Sequence, residues 1–253
     1  MQSWESLTLF LYITMRMSGF ILFSPVFSRR GIPGLVRAGF ILLLSLLLFS
    51  ITEDSVPVPP NLIDFGIRLI FELFIGFTVG LIMHIFFYIA QLAGESIDTQ
   101  MAFTMGKIYD AGTQASLSVT STLLNILMFL LFFSTNGHHT LLRIFLTSDD
   151  AIAFGSATIS PMLSSAIIEI FISCTLLAVK LALPILAAEI IGQVGMGILM
   201  KAIPQINVFS INIELKVIIG LSMLFLLITP ISHYLLDAET EMLASIRSIL
   251  YSP

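Results

Sequence analysis

The sequence predicts an all-α, polytopic integral membrane protein of about six kinked apolar helical segments arranged as hairpins. Three observations carry that prediction. Of the 253 residues, 57% are hydrophobic and only 11% are charged, against about 25% charged residues in a soluble domain. The mean hydropathy is +1.02. The apolar residues are also gathered into long runs, at about 5–23, 35–51, 67–93, 117–135, 165–191 and 217–236, near the length of about 20 residues that a helix needs to cross hydrocarbon.

The first run follows Glu5 with no basic residue ahead of it, so it is expected to stay in the chain and not to be removed as a signal. Ser24–Gly34, with Pro25, Gly31, Pro33 and Gly34, reads as a tight turn that stops one helix before the next. The second run is short for a span. It ends at Thr52–Asn61, where Pro57, Pro59 and Pro60 mark another turn. The third and fifth runs are long: at about 1.5 Å per residue, about 27 residues reach about 40 Å against a hydrocarbon core of about 30 Å. They are expected to tilt, kink or project, and Pro184 supplies the fifth with a natural kink. Within the third, Gly76-Phe77-Thr78-Val79-Gly80 has the small-xxx-small spacing that lets backbones approach closely. The tail, 237–253, is more polar and amphipathic, and is expected to lie at an interface. No linker, repeat or composition shift divides the chain, so 1–253 is expected to form a single membrane-embedded unit. Arg29, Arg30, Arg37, Lys107, Lys201 and Lys216 fall on one set of alternate connections, and Arg68, Arg143 and Arg247 on the other; that asymmetry places both termini outside the cytoplasm.

Arg16, Glu72, Glu169, Lys180 and Glu189 sit within the apolar runs. Each would cost about 2.5–3.5 kcal/mol at the bilayer centre on insertion scales, so each is expected to face protein or water. Arg68 and Glu72 stand one helical turn apart and are a candidate pair. Glu169 and Lys180 share a helix face three turns apart and need partners elsewhere. These charges are dispersed, which suits pairing between elements or subunits better than a proton relay. A self-contained secondary transporter is the alternative reading they leave open.

Other chemistries find little support. No set of nucleophile, base and orienting group is visible, and no catalytic residue is assigned. His138 and His139 are adjacent and lack a third ligand, so no metal is expected. Gly192-Gln193-Val194-Gly195-Met196-Gly197 follows an apolar helix and not a strand, which fails the context a dinucleotide site requires. The net charge of −5 and the absence of a basic run give nucleic acid nothing to bind. The single cysteine, Cys174, excludes an internal disulfide and reads as a packed core residue. No cofactor is expected.

The connection after the third run is different. Gly94-Glu95-Ser96-Ile97-Asp98-Thr99-Gln100-Met101-Ala102-Phe103-Thr104-Met105-Gly106 mixes two carboxylates, small polar residues, two methionines and a phenylalanine. A hydrated loop has no need of that mixture. An apolar seal framed by polar residues does, since Met and Phe can close a passage and repack when something moves through it. An ordinary packed loop is the plainer alternative.

Four motifs, in order along nearly the whole chain, resemble the FliR family of flagellar export-gate proteins, called SctT in virulence-associated type III secretion. They are Arg16-Met17-Ser18-Gly19-Phe20 with Ser24-Pro25-Val26-Phe27, Ile32-Pro33 and Arg37; Gly94-Glu95 through Gln100-Met101; Asn136-Gly137-His138-His139; and Met196-Gly197-Ile198-Leu199 with Ile203-Pro204-Gln205-Ile206-Asn207-Val208-Phe209. The resemblance implies a FliP-like part followed by a FliQ-like part, and one copy joined to several copies each of FliP and FliQ. FlhB would lie at the cytoplasmic entrance and FlhA alongside, in the bacterial cytoplasmic membrane at the flagellar basal body. The assembly would pass unfolded flagellar subunits through a membrane conduit. By position, the resemblance carries a pore-plug role to Met101, Phe103, Met105, Gly106, Lys107, Ile108 and Tyr109. It carries assembly and packing roles to Arg16, Gly19, Pro25, Pro33, Arg37, Glu95, Gln100, Asn136, Gly137, His138, Lys201, Pro204, Gln205, Asn207 and Phe209. The chain departs from the family pattern at Asp110-Ala111, where Asp-Pro is common, at Lys201, where arginine is common, and at Glu214-Leu215-Lys216, which replaces a proline-containing step.

Overall fold

The computed structural model describes residues 2–29, 31–52, 56, 59–103, 108–110, 115–157, 161–202 and 208–251. The helices are α1 (Gln2–Phe23), α2 (Gly34–Ile51), α3 (Leu62–Gln100), α4 (Val119–Ser134), α5 (Gly137–Leu146), α6 (Ser148–Ala151), α7 (Pro161–Ala202), α8 (Val208–Leu226) and α9 (Ile228–Tyr251). Between α3 and α4 lie two short strands, β1 (Ile108–Asp110) and β2 (Ala115–Leu117). Four of the helices are long and apolar enough to cross a membrane, and two bent pairs, α4 with α5 and α8 with α9, raise the number of spans to as many as six. The protein is therefore an all-α polytopic membrane protein.

Several boundaries differ from those expected. Helix α3 does not end near residue 93; it continues to Gln100, so Gly94–Gln100 is helix and not loop. No proline follows Gly94 to stop it, and the i,i+4 contact from Gln91 Nε2 to Glu95 Oε1, at 3.1 Å, lies across this last stretch. The helix closes where Ala102 takes φ 59°, the left-handed conformation that commonly ends helices. Helix α7 is a single helix through Pro184. The helix breaks fall instead at Thr135-Asn136, where Asn136 has φ 60°, and at Leu227.

The described residues form two compact units. One comprises Met1–Ile85, Gly137–Ile170 and Glu241–Pro253; the other comprises Phe86–Asn136 and Phe171–Thr240.

The first unit is built on the crossing of α1 with the N-terminal half of α3. Gly19 and Gly76 meet there. A Cβ on Gly76 would collide with the Arg16 carbonyl and fall 2.6 Å from the Phe20 amide nitrogen, and one on Gly19 would collide with the Leu73 carbonyl. One turn on, a Cβ on Gly80 would fall 2.8 Å from the Phe23 carbonyl carbon. The small-xxx-small spacing of Gly76 and Gly80 thus serves close backbone contact. Around the crossing, Tyr12, Ile13, Met17, Phe20, Ile82 and Met83 are buried, and Phe20 packs on Phe145 with ring centroids 4.0 Å apart. The end of α9 is amphipathic, as expected of the tail: Met242, Ile246 and Leu250 are buried at helical spacing.

Arg16 is fully buried at this crossing. Its Nε donates to Glu72 Oε2 at 2.6 Å, Nη1 to Ser148 Oγ at 3.1 Å and Nη2 to the Ile152 carbonyl at 2.9 Å. Its guanidinium carbon stands 4.2 Å from the centroid of the Phe154 ring. The second oxygen of Glu72 accepts from the Gly155 amide at 2.8 Å. Glu72 therefore pairs with Arg16 and not with Arg68, the neighbour one turn away. Arg68 reaches back to Asp64 at 2.9 Å and donates to the Gly155 carbonyl. The buried pair has good geometry and hydrogen bonds on both partners, the condition under which such a pair is tolerated.

Candidate functional site

The segment between α3 and α4 lies in the second unit. The last turns of α3 and the first turn of α4 pack backbone to backbone: a Cβ on Gly94 would collide with Ser121, and Ser121 Oγ donates to the Gln91 carbonyl at 2.8 Å. The first turn of an α-helix leaves several backbone N–H groups without helical partners. In α4 these are met from two sides. Ser118 is the N-cap, its Oγ accepting from the Ser121 amide at 3.1 Å. Asp98, on α3 and buried, accepts from the Ser118 hydroxyl at 2.5 Å and from the Thr120 amide at 3.2 Å. The carboxylate is thereby placed at the N-terminus of a helix, where the aligned peptide dipoles favour negative charge.

This contact ties Asp98, near the end of α3, to Ser118, the residue that precedes α4. Between those residues, β1 and β2 pair antiparallel with Ile108 opposite Leu117, Tyr109 opposite Ser116 and Asp110 opposite Ala115. This antiparallel pair lies beyond the Gly94–Gly106 stretch singled out in the sequence.

Met101 is fully buried in this unit. It fills the space that Gly220 of α8 leaves open: a Cβ on Gly220 would lie 2.7 Å from Met101 Cε and closer still to Sδ and Cγ. Phe103, two residues on, is half-buried. Of the other residues given a plug role by resemblance, Ile108 and Tyr109 lie on β1. Met105, Gly106 and Lys107 fall outside the described residues.

The residues given assembly and packing roles are not gathered in one place. Arg16 and Gly19 belong to the crossing described above. Pro25 is half-buried in a turn, and Pro33 is the N-cap residue of α2, with Arg37 half-buried one turn on. Glu95 and Gln100 are half-buried on the last turns of α3, Asn136 is exposed at the α4–α5 break, and Gly137 is buried at the start of α5 beside half-buried His138. Lys201 is exposed at the end of α7. Pro204, Gln205 and Asn207 fall outside the described residues, and Phe209 lies in the first turn of α8.

Sequence reasoning missed the role of Asp98. Its signal was present in Ser118-Val119-Thr120-Ser121, a run of small polar residues just before an apolar stretch, which marks a helix N-terminus in want of acceptors. It also missed two features of the charged residues. Glu189, on α7, is fully buried in the second unit. Glu239, on α9, has one oxygen 2.6 Å from Thr135 Oγ1. Glu169 instead lines an open cavity of about 340 Å³ in the first unit together with Glu241, Ser245 and Ser248.

The fold and this segment define a polytopic helical membrane protein with a tethered hairpin and no assembled catalytic constellation among the described residues. The chain belongs to the bacterial export proteins, family 1, whose family model matches residues 7–242. It is similar to the flagellar biosynthetic protein FliR of Bacillus subtilis (strain 168), with 27% identity over 251 residues, covering 95% of this chain and 94% of the relative. It is also similar to that of Escherichia coli (strain K12), with 26% identity over 258 residues, 98% of this chain and 97% of the relative. The protein of the same name from Caulobacter vibrioides is 25% identical over 229 residues, 90% of this chain and 91% of the relative.

Proposed function

We propose that this chain is a non-catalytic subunit of the flagellar type III protein export gate in the bacterial cytoplasmic membrane. With FliP and FliQ, several copies each, it forms the conduit for unfolded flagellar subunits, with FlhB and FlhA as further partners. The observation that carries the reading is the end-to-end similarity to proteins named flagellar biosynthetic protein FliR, over 90% or more of both chains. Co-expression with FliP-like and FliQ-like partners, followed by purification through a tag on this chain and mass measurement, tests it. The expected product is one discrete complex containing both partners. A lone, well-behaved chain that binds neither would sink the reading and favour a self-contained transporter.

Within that assembly, the segment from Phe103 to Tyr109 acts as the plug, and Met101 is its anchor. What supports the division is burial: Met101 is spent on the gap at Gly220, whereas the chain beyond it leaves the helix on a hairpin stem. Replacing both Phe103 and Met105 with glycine is expected to leave the complex intact and raise its ion conductance in a planar bilayer. Unchanged conductance in an intact complex would remove the plug assignment. Met101 is best spared in that variant, because emptying a buried methionine site costs about 2–5 kcal/mol and would confuse leak with misfolding.

A further inference from the structure

We propose that the exposed face of α7 around Lys180 is a docking surface for an apolar helix of another subunit, one that carries a carboxylate opposite this lysine. The proposal rests on the reading of the chain as a subunit of an export gate. Within the second unit, α7 has two unlike sides. Ala178, Ile185 and Glu189 are buried on one of them. Leu176 and Leu183, one turn before and one turn after Lys180, share its side of the helix and are 56% and 55% exposed. Lys180 is itself exposed, and among the described residues its ammonium forms no ion pair and no hydrogen bond. Glu189 cannot serve it. Nine residues on, it stands about two and a half turns away, on the opposite side of the helix.

Whatever covers the apolar surface on both sides of Lys180 also encloses an ammonium group. Lipid tails cover the leucines but leave the charge bare, at about 2.5–3.5 kcal/mol for a lysine at the bilayer centre on insertion scales. Escape along the helix is closed. Lys180 lies about 29 Å from Pro161 and about 33 Å from Ala202 at about 1.5 Å per residue, too far for a lysine to snorkel to either helix end. No polar belt marks a membrane surface at its level, since its exposed neighbours Val179 and Leu183 are apolar, as is Ile190 further on. A carboxylate on the covering element removes the cost, because an apolar interior tolerates a charge that is paired. An apolar helix is the element suited to carry it, its own backbone groups being satisfied internally. Leu176 and Leu183 would flank the pair and keep water from it. The lysine also sets the register: a partner displaced by one turn, about 5.4 Å, leaves both charges unpaired.

The test uses the complex with FliP-like and FliQ-like partners, purified through a tag on this chain and weighed after washes of rising detergent strength. Lys180→Arg, Lys180→Met and Lys180→Glu are compared with wild type. The arginine variant is expected to keep its partners. The methionine and glutamate variants should retain at least about tenfold less of one partner, because breaking a buried charge pair speeds dissociation. The amount of the chain itself in the membrane should stay the same, since the Lys180 ammonium holds nothing among its described residues. In the wild-type complex an apolar carbodiimide, which joins an amine to a carboxylate in contact with it, should link Lys180 to an Asp or Glu of that partner. Lysine at that partner position should then restore the complex with Lys180→Glu. Equal retention by all four chains would overturn the proposal, as would equal loss in the arginine and methionine variants or a link from Lys180 to a carboxylate of its own chain. Should Lys180→Glu fail to accumulate, the contrast between arginine and methionine decides. A wild-type chain that joins neither partner would sink the export-gate reading and this surface with it.

Discussion

Arg16→Met is expected to cost the folded chain about 3–5 kcal/mol, the loss typical when one partner of a buried ion pair is removed. Against a total stability of about 5–15 kcal/mol for a folded domain, the variant should accumulate poorly and show a markedly lower thermal midpoint in detergent. The reason is the orphan left behind. Glu72 would keep its contact with the Gly155 amide but lose its partner at Oε2, and the Ser148 hydroxyl and Ile152 carbonyl would lose theirs. The companion variant sharpens the test. Adding Glu72→Gln removes the stranded charge, and the double variant should recover part of the loss, because a buried pair replaced as a whole costs less than a pair broken. A single variant as stable as wild type, or a double variant no better than the single, would show that the pair is not the structural element the geometry indicates.

Gly76→Ala carries the second large effect, about 2–3 kcal/mol, at the upper end of what overpacking costs. The added methyl has no flexible side chain to displace: its neighbours would be the Arg16 carbonyl and the Phe20 amide, both backbone. Accommodation requires α1 to move away from α3, and that displaces the Arg16 contacts as well. Gly66 on the same helix is the matched control, since nothing lies within 4 Å of a Cβ built there. Gly66→Ala should be neutral or slightly stabilising, helix propensity favouring alanine by about 1 kcal/mol. Equal thermal midpoints for the two variants would contradict the close crossing.

The class of fold was legible because membrane solvent writes itself into composition: 57% hydrophobic residues in long runs leave few alternatives. Local spacing was legible too, where the contact it serves needs only one helix to be read, as with Gly76 and Gly80. Long-range pairing was not. Glu72 has Arg68 four residues away, and periodicity alone offers that partner, whereas Arg16 lies on another helix with no sequence signal joining the two. Strand pairing at 108–110 with 115–117 escaped for a different reason. Three residues hold little more than one alternation, too short for a period of two to register. The end of α3 was blurred because Gly94–Gln100 reads as a loop by composition, although nothing in it stops a helix and Asp98 finds its partners on α4. Pro184, read as a kink, lies inside a helix that runs on to Ala202.

The length of α7 has a bearing on where this protein can exist. From Pro161 to Ala202 it has 42 residues, so it extends about 63 Å at about 1.5 Å per residue, roughly twice the thickness of the hydrocarbon layer. Even a tilt of about 40°, the steep end of what transmembrane helices adopt, leaves it far too long. Yet it is apolar over nearly its whole length, and only 28% of its most apolar window is buried by the rest of the chain. Whatever lipid covers, a stretch of greasy helix about as long again stands clear of the bilayer and would meet water in an isolated subunit. Such a helix is expected to be covered by other components of a larger assembly, which would complete what lipid alone leaves bare.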